Sequence, residues 1–175
     1  MPIRESAQYV HRNTDFPLVI AEVGVRDGVN ASEMFRDMRV ERMYLIDNYL
    51  PYQDGDNQYF TQTDQNILYR RMFINVKPYF DKAVLISKDS TFAASLFENY
   101  FFDYVYIDAR HYVDDVKEDM DAWWEKVKIG GYIGGHDYQM HGPQIAVDTF
   151  VRDNKLDLIT DLGNDWLIQR KQGNG

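Results

Sequence analysis

The sequence predicts an α/β fold: a doubly wound, mostly parallel sheet with helices on both faces. Three observations carry this. Short apolar runs closed by glycine or acidic residues alternate with stretches whose apolar residues recur at three- and four-residue steps. Strands separated by helical patterns imply parallel neighbours joined by crossovers. Residues 156–170 read instead as a hairpin, which adds an antiparallel strand at the end of the chain. At 175 residues the chain is most simply one domain, large enough to bury roughly 70% of the surface its unfolded form exposes. The expected organisation is an N-terminal cap segment at 1–17, a single domain at 18–171 and a tail at 172–175, without repeats or low-complexity stretches.

The elements follow in order. Residues 19–24 form a short apolar strand, and 30–38 a helix with Ala31, Met34 and Phe35 on one face. Residues 42–46 (RMYLI) are a second strand, followed by a long polar and aromatic loop at 48–63. A helix at 64–76 and a strand at 83–87 come next, after which Asp89 and Ser90 cap a short helix running to residue 97. Residues 102–107 (FDYVYI) are a strand. The spacing of Val113, Val116, Met120, Trp123, Trp124 and Val127 predicts an amphipathic helix whose apolar stripe accounts for both tryptophans. Residues 128–131 turn the chain into a glycine-punctuated strand at 132–135, and Pro143 suits the first turn of a helix ending near Asn154. The closing hairpin pairs 156–160 with 166–170 across a turn at 161–165.

Composition narrows the function classes. The formal net charge is −9 and no run of lysines or arginines builds a basic stripe. Duplex nucleic acid and anionic membrane surfaces are therefore disfavoured as partners, because both need clustered cations. There are no cysteines, so disulfides and thiolate metal sites are excluded. The polar start MPIRESAQYV lacks the apolar core of a secretion signal, and no apolar run reaches the ~18 residues of a membrane span. The expectation is a cytoplasmic protein acting on a small molecule. Aromatic residues at 15% also make a homodimer an expectation.

Ligands of such sheets bind beyond the carboxyl ends of the strands, near the point where strand order reverses. The residues there are chemically distinctive: 22–28, Asp47, Asp89 and Ser90, 108–111, and His136 with Asp137. In the stretch VIAEVGVRDG, Gly24 and Gly28 have the spacing G-x-x-x-G and not the G-x-G-x-x-G that lets a backbone approach a pyrophosphate. Glu22 and Asp27 would repel phosphate. A cofactor with positive charge and no phosphate suits this loop, and S-adenosylmethionine carries a sulfonium and an α-ammonium. Its ribose hydroxyls need an acceptor at the end of the second strand, where Asp47 stands, and its adenine amino group needs one after the third, where Asp89 or Ser90 stands. Taken singly, Gly24 and Gly28 are equally consistent with a tight strand–helix turn, and Asp89 with a helix cap.

These motifs resemble the class I S-adenosylmethionine-dependent methyltransferases, most closely the small O-methyltransferase branch (catechol-type, methyltransferase domain 24-like). The matching segments are E-V-G-x-x-x-G at 22–28, Asp47, K-D-S at 88–90, FDYVYIDARH at 102–111 and IGGYIGGHDY at 129–138. None is specific alone; the weight lies in five appearing in order. The resemblance implies a Rossmann-like sheet of seven strands with the last antiparallel. It also implies a cofactor-binding set of Glu22, Gly24, Gly28, Asp47, Asp89, Ser90 and Asp108, with Gly24 at the methionine end, Asp47 on the ribose and Asp89–Ser90 near the adenine.

Asp108 and Asp137 close two strands that the resemblance places side by side, and adjacent strands lie about 4.8 Å apart. Two carboxylates at matched ends suit a hard cation such as Mg²⁺, Mn²⁺ or Ca²⁺, which would hold an acceptor hydroxyl and lower its pKa. His136 is the expected third ligand, with His111 or water as alternatives. The catechol-type branch typically follows its fifth-strand Asp with Asn, whereas Tyr138 stands here. Asp137 equally suits a turn cap, and Asp108 a contact to the cofactor. His111, three residues after Asp108, is placed to act as general base, or to start its helix with a backbone hydrogen bond. His136 precedes Asp137, so strand alternation sends the two to different faces. The expected function is methyl transfer to a small hydroxylated acceptor. A non-catalytic cofactor-binding module and a nucleotide-dependent oxidoreductase are the competing readings; a missing dinucleotide fingerprint counts against the second.

Overall fold

Residues 18–23 are apolar except for Glu22, and a strand of that composition demands cover on both faces. In the computed structural model, which describes residues 3–54 and 58–173, it receives that cover. In chain order the elements are α1 (Glu5–Arg12), β1 (Leu18–Val23), α2 (Val29–Asp37), β2 (Val40–Ile46), β3 (Tyr52–Asp54), β4 (Gln58–Phe60), α3 (Gln62–Val76), a 3₁₀ turn (Lys77–Tyr79) and β5 (Ala83–Ile86). There follow α4 (Ser90–Ala94), β6 (Phe102–Ile107), α5 (Val113–Trp124), β7 (Val127–Gly135), α6 (His141–Asn154), β8 (Leu158–Leu162) and β9 (Asp165–Gln169).

Seven of the strands form one sheet in the order β5-β2-β1-β6-β7-β9-β8. Pairing is parallel from β5 to β7 and antiparallel where β9 joins β7 and β8. This is the expected architecture. Alternation along the strands divides the core in two. Ile20, Tyr104 and Tyr106 pack with α1, α2 and α3 on one face, while Ala21, Val105 and Ile107 pack with α4, α5 and α6 on the other. Strand order reverses between β1 and β6, whose ends therefore flank the crevice in which such sheets bind ligands.

Local chemistry explains where the elements depart from expectation. The loop at 48–63 contains a small hairpin, β3 with β4, in which the Tyr52 and Phe60 rings stack at 4.9 Å; its residues 55–57 lie outside those described, as do 1–2 of the cap segment and 174–175 of the tail. Thr61 starts α3 earlier than expected because its side chain and Asp64 form a reciprocal capping box. Strand β7 begins at Val127 rather than 132: the 128–131 turn is a bulge inside it, with Gly130 at φ +87°. The closing hairpin turns tightly at 163–164 because Gly163 takes a positive φ. Trp123 and Trp124 are buried in the core as their spacing required.

The cap segment holds a helix that its sequence does not advertise. Helix α1 lies over β7 and β9 with Ala7 and Val10 buried. Its docking is fixed by a polar latch: the Ser6 backbone N–H and hydroxyl both donate to Asp165 Oδ2, at 3.0 and 2.6 Å. The Tyr104 hydroxyl donates in turn to Ser6 Oγ. Among the described residues, no helix is long and apolar enough to cross a membrane.

Candidate active site

The ends of β1, β2, β5, β6 and β7 open into a cleft of about 740 Å³. Its floor is set by Gly24, at φ +89°, where an added Cβ would lie 2.1 Å from the Asp108 carbonyl oxygen. Only glycine allows β1 and β6 to close this tightly. Gly28 caps α2 at φ +73°, against Met72 of α3.

Glu22 is the chemical peculiarity of this floor. It is 1% exposed and lines the cleft. Asn30 Nδ2 donates to Glu22 Oε1 at 2.9 Å, while Oε2 and Asn30 Oδ1 find no partner among the described residues. Burial, opposed by the Asn30 bond and reinforced by Asp108 and Asp47, pushes the carboxyl up to about 8. Asp47 follows β2 and accepts the backbone N–H groups of Arg26 and Tyr49 at 2.8 and 2.9 Å, tying the loops after β1 and β2 together. Burial raises its pKa as well.

At the other wing Asp89 caps α4, accepting from the Thr91 N–H and hydroxyl. Ser90 Oγ accepts from Trp123 Nε1 at 2.8 Å and shares a hydrogen bond with Asp119, whose carboxyl burial pushes up to about 7. Both Asp89 and Ser90 face the cleft.

The ends of β6 and β7 carry a cluster of ionisable side chains. Asp108 follows β6, and burial raises its pKa above the usual carboxylate range. His111 Nε2 lies 2.9 Å from Asp137 Oδ2, and His136 Nδ1 lies 2.9 Å from Asp137 Oδ1. Asn164 Nδ2 also donates to Asp137 Oδ1. For Asp137, burial opposes ionisation, but the bonds from the two histidines outweigh it and hold the carboxyl well below its ordinary value. Arg4 NH1 stands 2.7 Å from His136 Nε2 and its NH2 is 3.8 Å from Asp108 Oδ2. The two neighbours of His136 act in opposite senses. Asp137 favours the imidazolium and raises its pKa, whereas a guanidinium can only donate, so the Arg4 bond requires a neutral ring with its proton on Nδ1.

Two expectations change here. Among the described residues, the donor atoms that converge within 4.8 Å belong to Asp108, His111 and Asp137, so it is His111, and not His136, that the fold groups with the two carboxylates. Both nitrogens of His136 are engaged, one by Asp137 and one by Arg4. Nor do His136 and Asp137 diverge by strand alternation: β7 ends at Gly135, and Asp137 adopts φ +60°, which turns its carboxylate back onto the histidine. Sequence reasoning missed Arg4, Asn30, Asp119 and Asn164. Asp119 had a signal, an acid on the apolar face between Val116 and Trp123. Arg4 had none.

Comparison with known proteins agrees with this fold. Residues 21–138, about two thirds of the chain, match the family model Methyltransf_24, a methyltransferase domain. No curated protein sequence matches significantly. Among solved structures, the O-methyltransferase NovP superposes with a TM-score of 0.69 at 17% identity, covering 96% of this chain and 80% of that one. The calicheamicin methyltransferase CalS11 gives 0.66 at 15%, covering 94% and 77%. Precorrin 8W decarboxylase from Methanobacterium thermoautotrophicum gives 0.65 at 16%, covering 94% and 86%, so the shared fold by itself does not name a reaction. The matched segment runs from the start of the Glu22 floor to the Asp137 cluster, and the chain belongs to the methyltransferase-domain family, among the class I S-adenosylmethionine-dependent methyltransferases.

Proposed function

We propose that the protein transfers a methyl group from S-adenosylmethionine to a hydroxyl of a small acceptor, with Asp108 and His111 as its catalytic residues. The observation that carries this is the cluster of Asp108, His111 and Asp137 directly beside the glycine floor.

The residues fit the cofactor. The partnerless Glu22 Oε2 supplies a buried acceptor for a cationic ligand, and the space a Cβ would need at Gly24 stays clear. Glu22, Gly24, Gly28 and Asp108 would hold the methionine end, Asp47 the ribose, and Asp89 with Ser90 the adenine. When bound, the cofactor supplies an electrophilic methyl on a sulfonium. Asp108 has a raised pKa and a side chain 25% exposed, so it is matched to accept the acceptor's hydroxyl proton on a carboxylate oxygen. His111 is fixed by Asp137 alongside it, and this pair stabilises the charge that develops. Most of the remaining effect is positioning. A cleft of about 740 Å³ is within the usual range for a site holding one drug-sized ligand, so the acceptor is compact. Among the structures of this fold, NovP is an O-methyltransferase and CalS11 is also described as a TDP-rhamnose 3′-O-methyltransferase, and the proposed hydroxyl acceptor is of that kind.

The convergence of three donors within 4.8 Å favours a second version of the same reaction. Asp108, His111 and Asp137 would then hold a divalent ion such as Mg²⁺, which supplies Lewis-acid activation of the hydroxyl.

The test is calorimetric titration with S-adenosylhomocysteine, followed by transfer of labelled methyl to a panel of phenols and sugars with and without Mg²⁺ or chelator. Micromolar binding by the wild type, with transfer at saturating cofactor that falls on the order of 10²–10⁴-fold in Asp108→Asn, supports the proposal. Transfer abolished by chelator selects the metal version. Folded protein that does not bind S-adenosylhomocysteine sinks the proposal.

A further inference from the structure

Among the described residues, four cationic side chains other than histidine line the cleft: Arg4, Arg26, Lys88 and Arg110. Three have contacts elsewhere. Arg26 is exposed beside Asp47. Lys88 lies over the Phe92 ring at the start of α4. Arg110 sits over the Tyr52 ring of the small hairpin and reaches Asp115. Arg4 reaches the end formed by Glu22, Asp108 and His136, where its charge is felt by the first two.

We infer that Arg4 binds the α-carboxylate of the cofactor's amino-acid end, an inference that rests on the cofactor assignment proposed above. S-adenosylmethionine brings two positive groups and one carboxylate to this end of the cleft. Glu22 and Asp108 suit the positive groups and repel the carboxylate. A guanidinium among them resolves that conflict, and its planar fork matches a carboxylate in two-point geometry.

The state of Arg4 fits this role. Among the described residues, its five N–H donors make one hydrogen bond, to His136 Nε2. Its approach to Asp108, at 3.8 Å, is too long for a hydrogen bond, so that edge of the fork is uncommitted. The side chain is 39% exposed, toward the cleft that it lines. Its placement is also built: Arg4 is the residue on which α1 begins, and two residues later Ser6 fastens that helix to Asp165 through two hydrogen bonds. A helix that contributes only Ala7, Val10 and its neighbours to the core thereby also fixes a cation over the cleft.

The experiment compares two ligands that share the adenosine and the sulfur, S-adenosylhomocysteine and 5′-methylthioadenosine; the second lacks the amino-acid end. Each is titrated calorimetrically into the wild type, Arg4→Gln and Arg4→Lys, with melting curves confirming that the variants are folded. The expected result is a loss of roughly ten- to hundredfold in S-adenosylhomocysteine affinity for Arg4→Gln, the usual range for one charged hydrogen-bonded contact. Arg4→Lys recovers part of it, and methylthioadenosine is unaffected. Equal weakening of both ligands makes Arg4 a purely structural residue and overturns the inference. So does an Arg4→Gln variant that binds S-adenosylhomocysteine as the wild type does, which points instead to an anionic acceptor and leaves the cofactor assignment intact. A wild type that binds neither ligand removes the cofactor assignment itself, and the inference with it.

Discussion

Replacing Glu22 with glutamine isolates the electrostatics of the cleft floor. In the folded chain the Glu22 carboxyl keeps its proton up to about 8, against an ordinary 4.5. Between those values the unfolded chain binds fewer protons than the folded one, so raising the pH favours unfolding. The handicap is absent below the unfolded pKa, grows with pH, and is complete above the folded pKa. At about 1.4 kcal/mol per pH unit it amounts to about 3 kcal/mol at pH 7 and at most about 5 kcal/mol above pH 8. Glutamine keeps an oxygen to accept the Asn30 Nδ2 hydrogen bond and titrates in neither state. Glu22→Gln is therefore expected to be more stable than the wild type at pH 7 by about 3 kcal/mol, which raises the melting temperature by roughly 6–12 °C in a chain of this size. At pH 5 the difference shrinks below about 1 kcal/mol. Urea denaturation of both proteins between pH 5 and pH 8 measures this directly. Two stability curves that run parallel over that range would mean that Glu22 is ionised in the fold, and the reasoning fails.

Two further outcomes follow from the packing. Gly24→Ala would place a Cβ 2.1 Å from the Asp108 carbonyl oxygen at a φ of +89°, which neither backbone can relieve; a loss of about 3 kcal/mol or more, read by denaturation or by failure to fold on expression, is expected. Ser6→Ala removes the 2.6 Å bond to Asp165 and the acceptor of the Tyr104 hydroxyl, at a cost of about 1–3 kcal/mol. Faster amide exchange confined to α1 would show that the latch holds the helix, and unchanged exchange there would show that it does not.

What the sequence disclosed, and what it withheld, divides by the range of the interaction. Strands β1, β6 and the buried part of β7 were legible because their apolar runs are punctuated by Gly24, Asp108 and the 134–135 glycines, each a local signal. The acids at the strand ends were legible for the same reason. Helix α1 was not, since its eight residues contain only Ala7 and Val10 as buried apolar anchors and its place depends on Asp165, 159 residues away. Arg4 meets His136 across 132 residues, beyond any pattern a window can contain. The pairing of His136 with Asp137 was misjudged because strand alternation was carried one residue past the strand, into a backbone with positive φ. The hairpin at β3–β4 was hidden by polarity: a two-stranded ribbon of three-residue strands leaves no periodicity to find.

A buried acid that weakens its own fold needs a reason to be there, and Glu22 offers one that can be measured apart from its effect on stability. Solvent exposure cannot relieve it, and the Asn30 amide satisfies one oxygen only. On the proposed reading the missing partner is a cation delivered by the ligand, whose charge favours the ionised carboxylate. Ligand binding near neutral pH then expels the Glu22 proton, and affinity for S-adenosylmethionine rises with pH until the carboxyl is ionised without it, near about 8. Glu22→Gln is expected to flatten this profile and to release fewer protons on binding, as judged by calorimetry in buffers of different ionisation enthalpy, while being the more stable protein. Stability gained and ligand response lost in one substitution is the signature of a residue retained for function. If the two proteins share one pH profile of S-adenosylmethionine affinity, Glu22 does not ionise against the cofactor, and the acidic floor requires another explanation.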